Sequence, residues 1–245
     1  MTVRQTTDCY LTPPCAALAL RRWLDPRCGE VLDRGRWLDP FAGAGRLLHW
    51  VVGAHVGALI RSHAFELERR WLPELTESIG GSRVRLCDSM ALADWSVHRG
   101  EQPHIVTNPP YGVADEALAR LHAHARTHHR WVAALTRTDW WQHPERDEVR
   151  PDHLLMLAWR PAFGFRREKK TGKVVLGTDR FTGYTWAVWA PIATGRTELH
   201  WLERPLVAKA LVAEHKRLAR MAFDWAEADD AEAFWRSGKT EPVPW

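Results

Sequence analysis

An asparagine, two prolines and a tyrosine stand in a row at Asn108-Pro109-Pro110-Tyr111, directly after the apolar run His104-Ile105-Val106-Thr107. Such a row suits one kind of chemistry. An amino group conjugated to a ring is a poor nucleophile because its lone pair is delocalised. The side-chain oxygen of Asn108 and the main-chain carbonyl of Pro109 can each accept one of its N–H bonds. That pull shifts the nitrogen toward tetrahedral geometry and frees the lone pair for attack. Pro109 fixes its own φ, and Pro110 biases Pro109 toward an extended conformation. The acceptors are therefore set before a substrate arrives, which is electrostatic preorganisation. Tyr111 can stack on the ring. The competing reading is a plain turn after a strand, since Asn-Pro is a frequent turn dipeptide.

A second group of residues lies upstream, at Asp39-Pro40-Phe41-Ala42-Gly43-Ala44-Gly45, after the short predicted strand Arg36-Trp37-Leu38. In open α/β sheets, ligands sit at the carboxyl ends of the strands. Gly43 and Gly45 let the backbone approach a ligand closely. A GxG pair alone is a weak signal. Glu66 strengthens it, because it ends the next strand, Ala64-Phe65-Glu66, where an acid can accept both ribose hydroxyls of a nucleoside cofactor. Asp88 ends a third strand, Arg83 to Cys87, and can accept an adenine amino group. The alternatives are a surface acid for Glu66 and a helix cap for Asp88.

These residues need a scaffold of alternating strands and helices. Thr12-Pro13-Pro14 predicts a helix start, with the threonine hydroxyl as N-cap and proline in the first turn. Asp25-Pro26 predicts its end. Leu47, Leu48, Val51 and Val52 place an apolar stripe on the helix after the glycine loop. Ala114 to His129 predicts another helix, and Trp131 to Leu135 a fifth strand. Leu154 to Trp159 and Tyr184 to Trp189 predict an antiparallel pair. Between them runs a basic, glycine-containing insertion over about 163–183, and a charged helix is expected over about 206–235. The pattern is α/β, a mostly parallel sheet covered on both faces, with residues 1–245 as one domain.

Composition sets bounds. The chain has 245 residues, a net charge of +4 and 15 tryptophans. The charge permits nucleic-acid binding without requiring it. No apolar run is long enough to span a membrane and no signal-peptide core opens the chain, so the expected location is cytoplasmic. Cys9, Cys15, Cys28 and Cys87 show no zinc-ligand spacing and are expected as free thiols. Arg166, Arg167, Lys169, Lys170 and Lys173 in the insertion suit phosphate contact, or form a solvated loop. Trp140-Trp141 lie beyond the fifth strand, where they could wall a base pocket or pack in the core. His124 and His128 have i, i+4 spacing on a helix rich in histidine, but no carboxylate partner is evident, and a solvated face is expected.

With these residues in view, the chain resembles the S-adenosylmethionine-dependent amino-methyltransferases, specifically the DNA adenine-N6 branch. DPFAGAG is similar to that family's cofactor loop, Glu66 and Asp88 to its later cofactor acids, and NPPY to its catalytic motif. Tyr10-Leu11-Thr12-Pro13-Pro14 resembles the family's additional cofactor-contacting segment, which implies cofactor roles for Tyr10, Thr12 and Pro13. The resemblance covers roughly residues 8–140. It implies a class I methyltransferase (Rossmann-like) fold with a seven-stranded sheet, S-adenosyl-L-methionine as cofactor, DNA as partner and no metal. A base in a duplex must be flipped out to reach such a site. The order of segments is most similar to the compact methyltransferases of phages and prophages. The same NPPY serves RNA bases and protein glutamine, and cytosine N4 stays open. A cofactor-binding fold that has lost turnover and only binds nucleic acid is the reading from another class.

Overall fold

Neighbouring apolar residues along each central strand point to opposite faces, and this alternation builds the layers. In the computed structural model, which describes residues 11–53, 56–97, 100–167, 171, 173–178 and 182–236, Trp37, Val106 and Ala133 join one buried cluster. Leu38, Ile105 and Ala134 join another. Helices α1 (Pro14–Arg34), α2 (Arg46–Val52), α3 (Val56–Arg61) and α4 (Leu72–Ile79) supply the first cluster. Helix α5 (Ala114–His128) covers the second through Leu118, Leu121 and Ala125.

The sheet has eight strands, one more than expected, in the order β10-β6-β9-β5-β4-β1-β2-β3. The strands are β1 (Trp37–Asp39), β2 (His63–Glu66), β3 (Val84–Leu86), β4 (His104–Thr107), β5 (Val132–Arg137), β6 (His153–Leu157), β9 (Tyr184–Trp189) and β10 (Glu198–Leu202). Only β9 runs antiparallel to its neighbours, β5 and β6. The extra strand β10 pairs in parallel with β6 at the edge. A separate two-stranded ribbon, β7 (Ala162–Arg167) and β8 (Val174–Thr178), occupies the basic insertion. It therefore separates the antiparallel neighbours β6 and β9, which are not a direct hairpin. The last helix, α6 (Lys209–Arg236), packs on β7 and α1.

Helix α1 departs from expectation at both ends. Its N-cap is Pro13 without a side-chain bond, and Thr12 is buried rather than capping. The helix also continues through Pro26, with non-helical angles at Cys28. Proline in a helix removes one backbone donor. Arg27 braces the bend by donating to the Trp23 carbonyl at 2.9 Å and stacking over the Trp23 ring at 4.1 Å. The apolar side of α1, with Leu20, Trp23, Leu24 and Leu32 buried, outweighs the local stop signal. Trp37, Trp71, Trp95, Trp186 and Trp189 are fully buried, so core packing accounts for much of the indole surplus. No helix among the described residues is long and apolar enough to cross a membrane.

Candidate active site

The two chemical motifs leave adjacent parallel strands. Leu38 of β1 pairs with Ile105 of β4, so the glycine loop and the Asn108 turn emerge side by side at one edge of the sheet. Thr107 Oγ1 donates to Asp39 Oδ1 at 2.7 Å and ties the two strand ends together. The same Asp39 oxygen accepts the Phe41 N–H at 3.0 Å. Burial pushes the Asp39 carboxyl up to about 7, and Glu66 adds repulsion in the same direction. Asp39 thus shapes the loop from inside.

Glu66 is buried and holds the loop from the other side. Its Oε2 accepts the Gly43 N–H at 2.6 Å, and its Oε1 accepts the Glu68 N–H at 2.7 Å. Gly43 and Gly45 have φ of 51° and 73°. Gly45 has a second reason to be glycine: a Cβ there would lie 2.5 Å from Leu75 Cδ1. Phe41 and Pro40 are buried, and Phe41 meets Trp95 edge to face at 6.3 Å.

The N-terminal segment reaches the loop. A Cβ on Gly43 would lie 3.4 Å from Leu11 Cδ2. Thr12 and Pro13 are buried beside it, while Tyr10 lies outside the described residues. Leu11 also packs against the buried cluster of Ala44, Trp71 and Leu218, as do Met221 and Trp225. Leu218, Met221 and Trp225 belong to α6, whose charge pattern did not signal this packing. Three ion pairs gather around Arg46 at the start of α2: Glu74 at 3.6 Å, Glu77 at 3.4 Å and Glu214 at 2.8 Å. Arg217 of α6 then donates to Glu74, and Arg70 donates to Asp229 of α6, each with two bonds.

At the Asn108 turn, Pro109 and Pro110 are buried, whereas Asn108 and Tyr111 are half-buried. Pro110 takes an extended conformation, and its carbonyl accepts the Val113 N–H at 3.2 Å. This starts a tight turn at Tyr111–Val113 that feeds α5. The strand below is seated by imidazoles. His104 Nδ1 accepts the Trp131 N–H at 3.0 Å, and His124 Nε2 lies 2.8 Å from the Pro103 carbonyl. His124 therefore faces inward, and the expectation of a solvated face is corrected for it. Burial pushes His104 down to about 3 and His124 down to about 4.

Other expected site residues are spread more widely. Asp88 is exposed at the end of β3, and its Oδ1 accepts the Met90 N–H at 2.9 Å, capping a short turn. Trp140 sits beyond β5 at the same sheet edge as Asn108, half-buried, with the Arg146 guanidinium 3.7 Å above its ring. The ribbon β7–β8 leaves from the end of β6 and returns to the start of β9, again at that edge. Arg166 and Arg167 lie on β7 opposite Val175 and Val174. Lys169 and Lys170 lie outside the described residues.

The fold is that of the class I methyltransferases. The chain matches no protein-family profile and no curated protein. Among solved structures it is similar to the methyltransferase subunit of a type I restriction-modification system from Streptococcus thermophilus, with a TM-score of 0.51 and 12% identity. That match covers 89% of this chain and 55% of the other, so the chain spans little more than half of that subunit. It is also similar to the precorrin-6y C5,15-methyltransferase from Geobacter metallireducens, with a TM-score of 0.45 and 13% identity over 72% of this chain and 87% of that one. TrmN from Thermus thermophilus matches with a TM-score of 0.40 and 19% identity, over 72% and 48% of the two chains.

Proposed function

We propose that this chain is an S-adenosylmethionine-dependent methyltransferase that methylates the exocyclic N6 of adenine in DNA. The observation that carries the reading is the juxtaposition of Asn108-Pro109-Pro110-Tyr111 with the glycine loop on paired strands, tied by the bond from Thr107 to Asp39. The residues present suit the cofactor. Two left-handed glycines and the Glu66 carboxylate at the end of β2 match a nucleoside with a diol. Asp88 is assigned to the adenine amino group, and Leu11, Thr12 and Pro13 to the wall beside the loop. When bound, the cofactor supplies an electrophilic methyl group on a sulfonium.

The protein's own part is positioning. Asn108 Oδ1 and the Pro109 carbonyl accept the two N–H bonds of the target amine and hold its lone pair toward the methyl carbon. Methylation of that nitrogen is the chemistry the cofactor would supply, and the amine's surplus proton would leave to water. Tyr111 stacks on the flipped base, Trp140 borders the pocket, and Arg166, Arg167, Lys169 and Lys170 contact phosphates.

The test is transfer of labelled methyl from the cofactor, run in parallel on duplex DNA, single-stranded DNA, RNA and a glutamine-containing protein, with nucleoside mass spectrometry. The expected product is N6-methyladenine in DNA. Label confined to RNA or protein would overturn the DNA assignment. Cofactor binding without transfer to any of them would favour the nucleic-acid binder.

A further inference from the structure

A second cluster of chemically capable residues lies at the opposite end of the strands. Glu198 and His200 stand two apart on β10, so both point to one face of the sheet. Glu198 is in register with His153, the first residue of the neighbouring strand β6. The face they share is the one covered by α1, whose Trp23 meets the His153 ring at 4.9 Å and the His200 ring at 5.5 Å, both edge-on.

One atom from each side chain converges on a common point. His200 Nε2 lies 3.3 Å from His153 Nδ1. Glu198 Oε2 lies 3.6 Å from His153 Nδ1 and 3.7 Å from His200 Nε2. A tetrahedral ion with bonds of about 2.0–2.2 Å holds its ligand atoms about 3.3–3.6 Å apart. Two of the three separations fall in that range, and the third, between Glu198 Oε2 and His200 Nε2, lies just above it at 3.7 Å. The two imidazoles are within hydrogen-bonding distance of each other, whereas both contacts to the carboxylate exceed the usual hydrogen-bond range. Two imidazole nitrogens and one carboxylate oxygen form a set that suits zinc, whereas magnesium and calcium prefer all-oxygen sites.

From this geometry we infer that His153, Glu198 and His200 form a binding site for a divalent zinc-like ion. The rest of the cluster accords with it. Arg196 Nη2 approaches the other Glu198 oxygen, Oε1, at 3.4 Å, which leaves Oε2 turned to the histidines. Glu198 is the most open of the three, so solvent can complete the coordination on its side. Arg27 and Arg196 are cations that oppose the ion, and Glu198 supplies the compensating charge. The ion joins β10 to β6, and so pins an edge strand that presents exposed Leu199 and Trp201 on its other face. The site is separate from the glycine loop, because β6 and β10 begin where β1 and β4 begin, away from Asn108.

The experiment uses the untagged full chain, freed of metal with a chelator and then titrated with Zn²⁺ by calorimetry, and with Co²⁺ by visible absorption. One equivalent should bind with a Kd of about 10 μM or tighter. Zinc at a hundredfold excess over Kd should raise the unfolding midpoint by about 5–10 °C. His200→Gln should weaken binding by about 100-fold or abolish it, the share of one ligand in a site of this kind. Glu198→Gln, at a more exposed position, gives the same readout if the histidine variant folds poorly. Intense tetrahedral cobalt bands that vanish in either variant would support the site. No retained equivalent would overturn it, and so would an equivalent held equally by the wild type and both variants, which would place the ion elsewhere.

Discussion

The glycine loop and the Asn108 turn leave neighbouring strands at the same edge, yet they are held by opposite means. The loop is held by charge and by space. Asp39 and Glu66 grip its N–H groups, and Leu75 leaves no room for a side chain at Gly45. The turn is held by rings: two prolines restrict the backbone while the asparagine side chain stays half-exposed. A loop fixed by many contacts fails when one atom is added. A turn fixed covalently tolerates the loss of the side chain proposed to do the chemistry. Stability and activity should therefore separate between the two regions.

The sharpest way to break this contrast is at Gly45. Gly45→Ala should cost about 2–5 kcal/mol, combining left-handed strain with overpacking against Leu75. Urea denaturation checks it, and a change below about 0.5 kcal/mol would mean the loop has slack. At the turn, Asn108→Ala should lower the methyl-transfer rate by ~10²–10³, or about 2.7–4 kcal/mol in barrier. Its folding stability should change by only about 1 kcal/mol or less. A variant that unfolds, or one that keeps its rate, would erase the distinction.

The two regions also differ in the sign of their pH dependence. His104 and His124 have folded pKa values below the ordinary 6.5. Their stabilising contribution is full above pH 6.5 and is lost as pH falls toward about 3–4. Asp39 has a folded value raised to about 7, so its cost is full above that and is relieved as pH falls toward 3.8. Between pH 6.5 and 5 each group shifts stability by about 2 kcal/mol, the histidines downward and the aspartate upward. Denaturation at both pH values should show a smaller acid loss in His124→Gln and a larger one in Asp39→Asn. Equal slopes in all three proteins would refute the assignment. The smallest effect belongs to the turn's ring constraint. Pro110→Ala should cost about 0.4–1 kcal/mol, chiefly by freeing the unfolded chain, and a thermal melt would measure it.

Much of this architecture was legible in the chain. Strand β4 and the helix stripe of Leu47, Leu48, Val51 and Val52 were readable because apolar runs there are bounded by glycine, proline or asparagine. Strand β10 was not, because Glu198-Leu199-His200-Trp201-Leu202 alternates polar and apolar residues with the polar ones turned inward. Helix α1 runs through Pro26 because tertiary burial overrides a local stop signal. Histidine spacing on α5 drew attention to His124 and His128, whereas the convergent histidines are far apart in sequence and meet only through strand register. Glu66 was expected at the ribose, and its grip on Gly43 depends on a three-dimensional approach that no spacing encodes.

The clasp of α6 over the glycine loop also has a consequence in time. Arg217 meets Glu74 and Arg70 meets Asp229 across 143 and 159 residues of chain. During synthesis the loop, its carboxylates and Arg46 leave the ribosome long before residues 209–236 do. The nascent chain can pair its strands while this corner lacks Leu218, Trp225 and Glu214. The glycine-loop side of the molecule is therefore completed only after residues 209–236 have been made, and resistance to protease there should appear only once α6 has emerged.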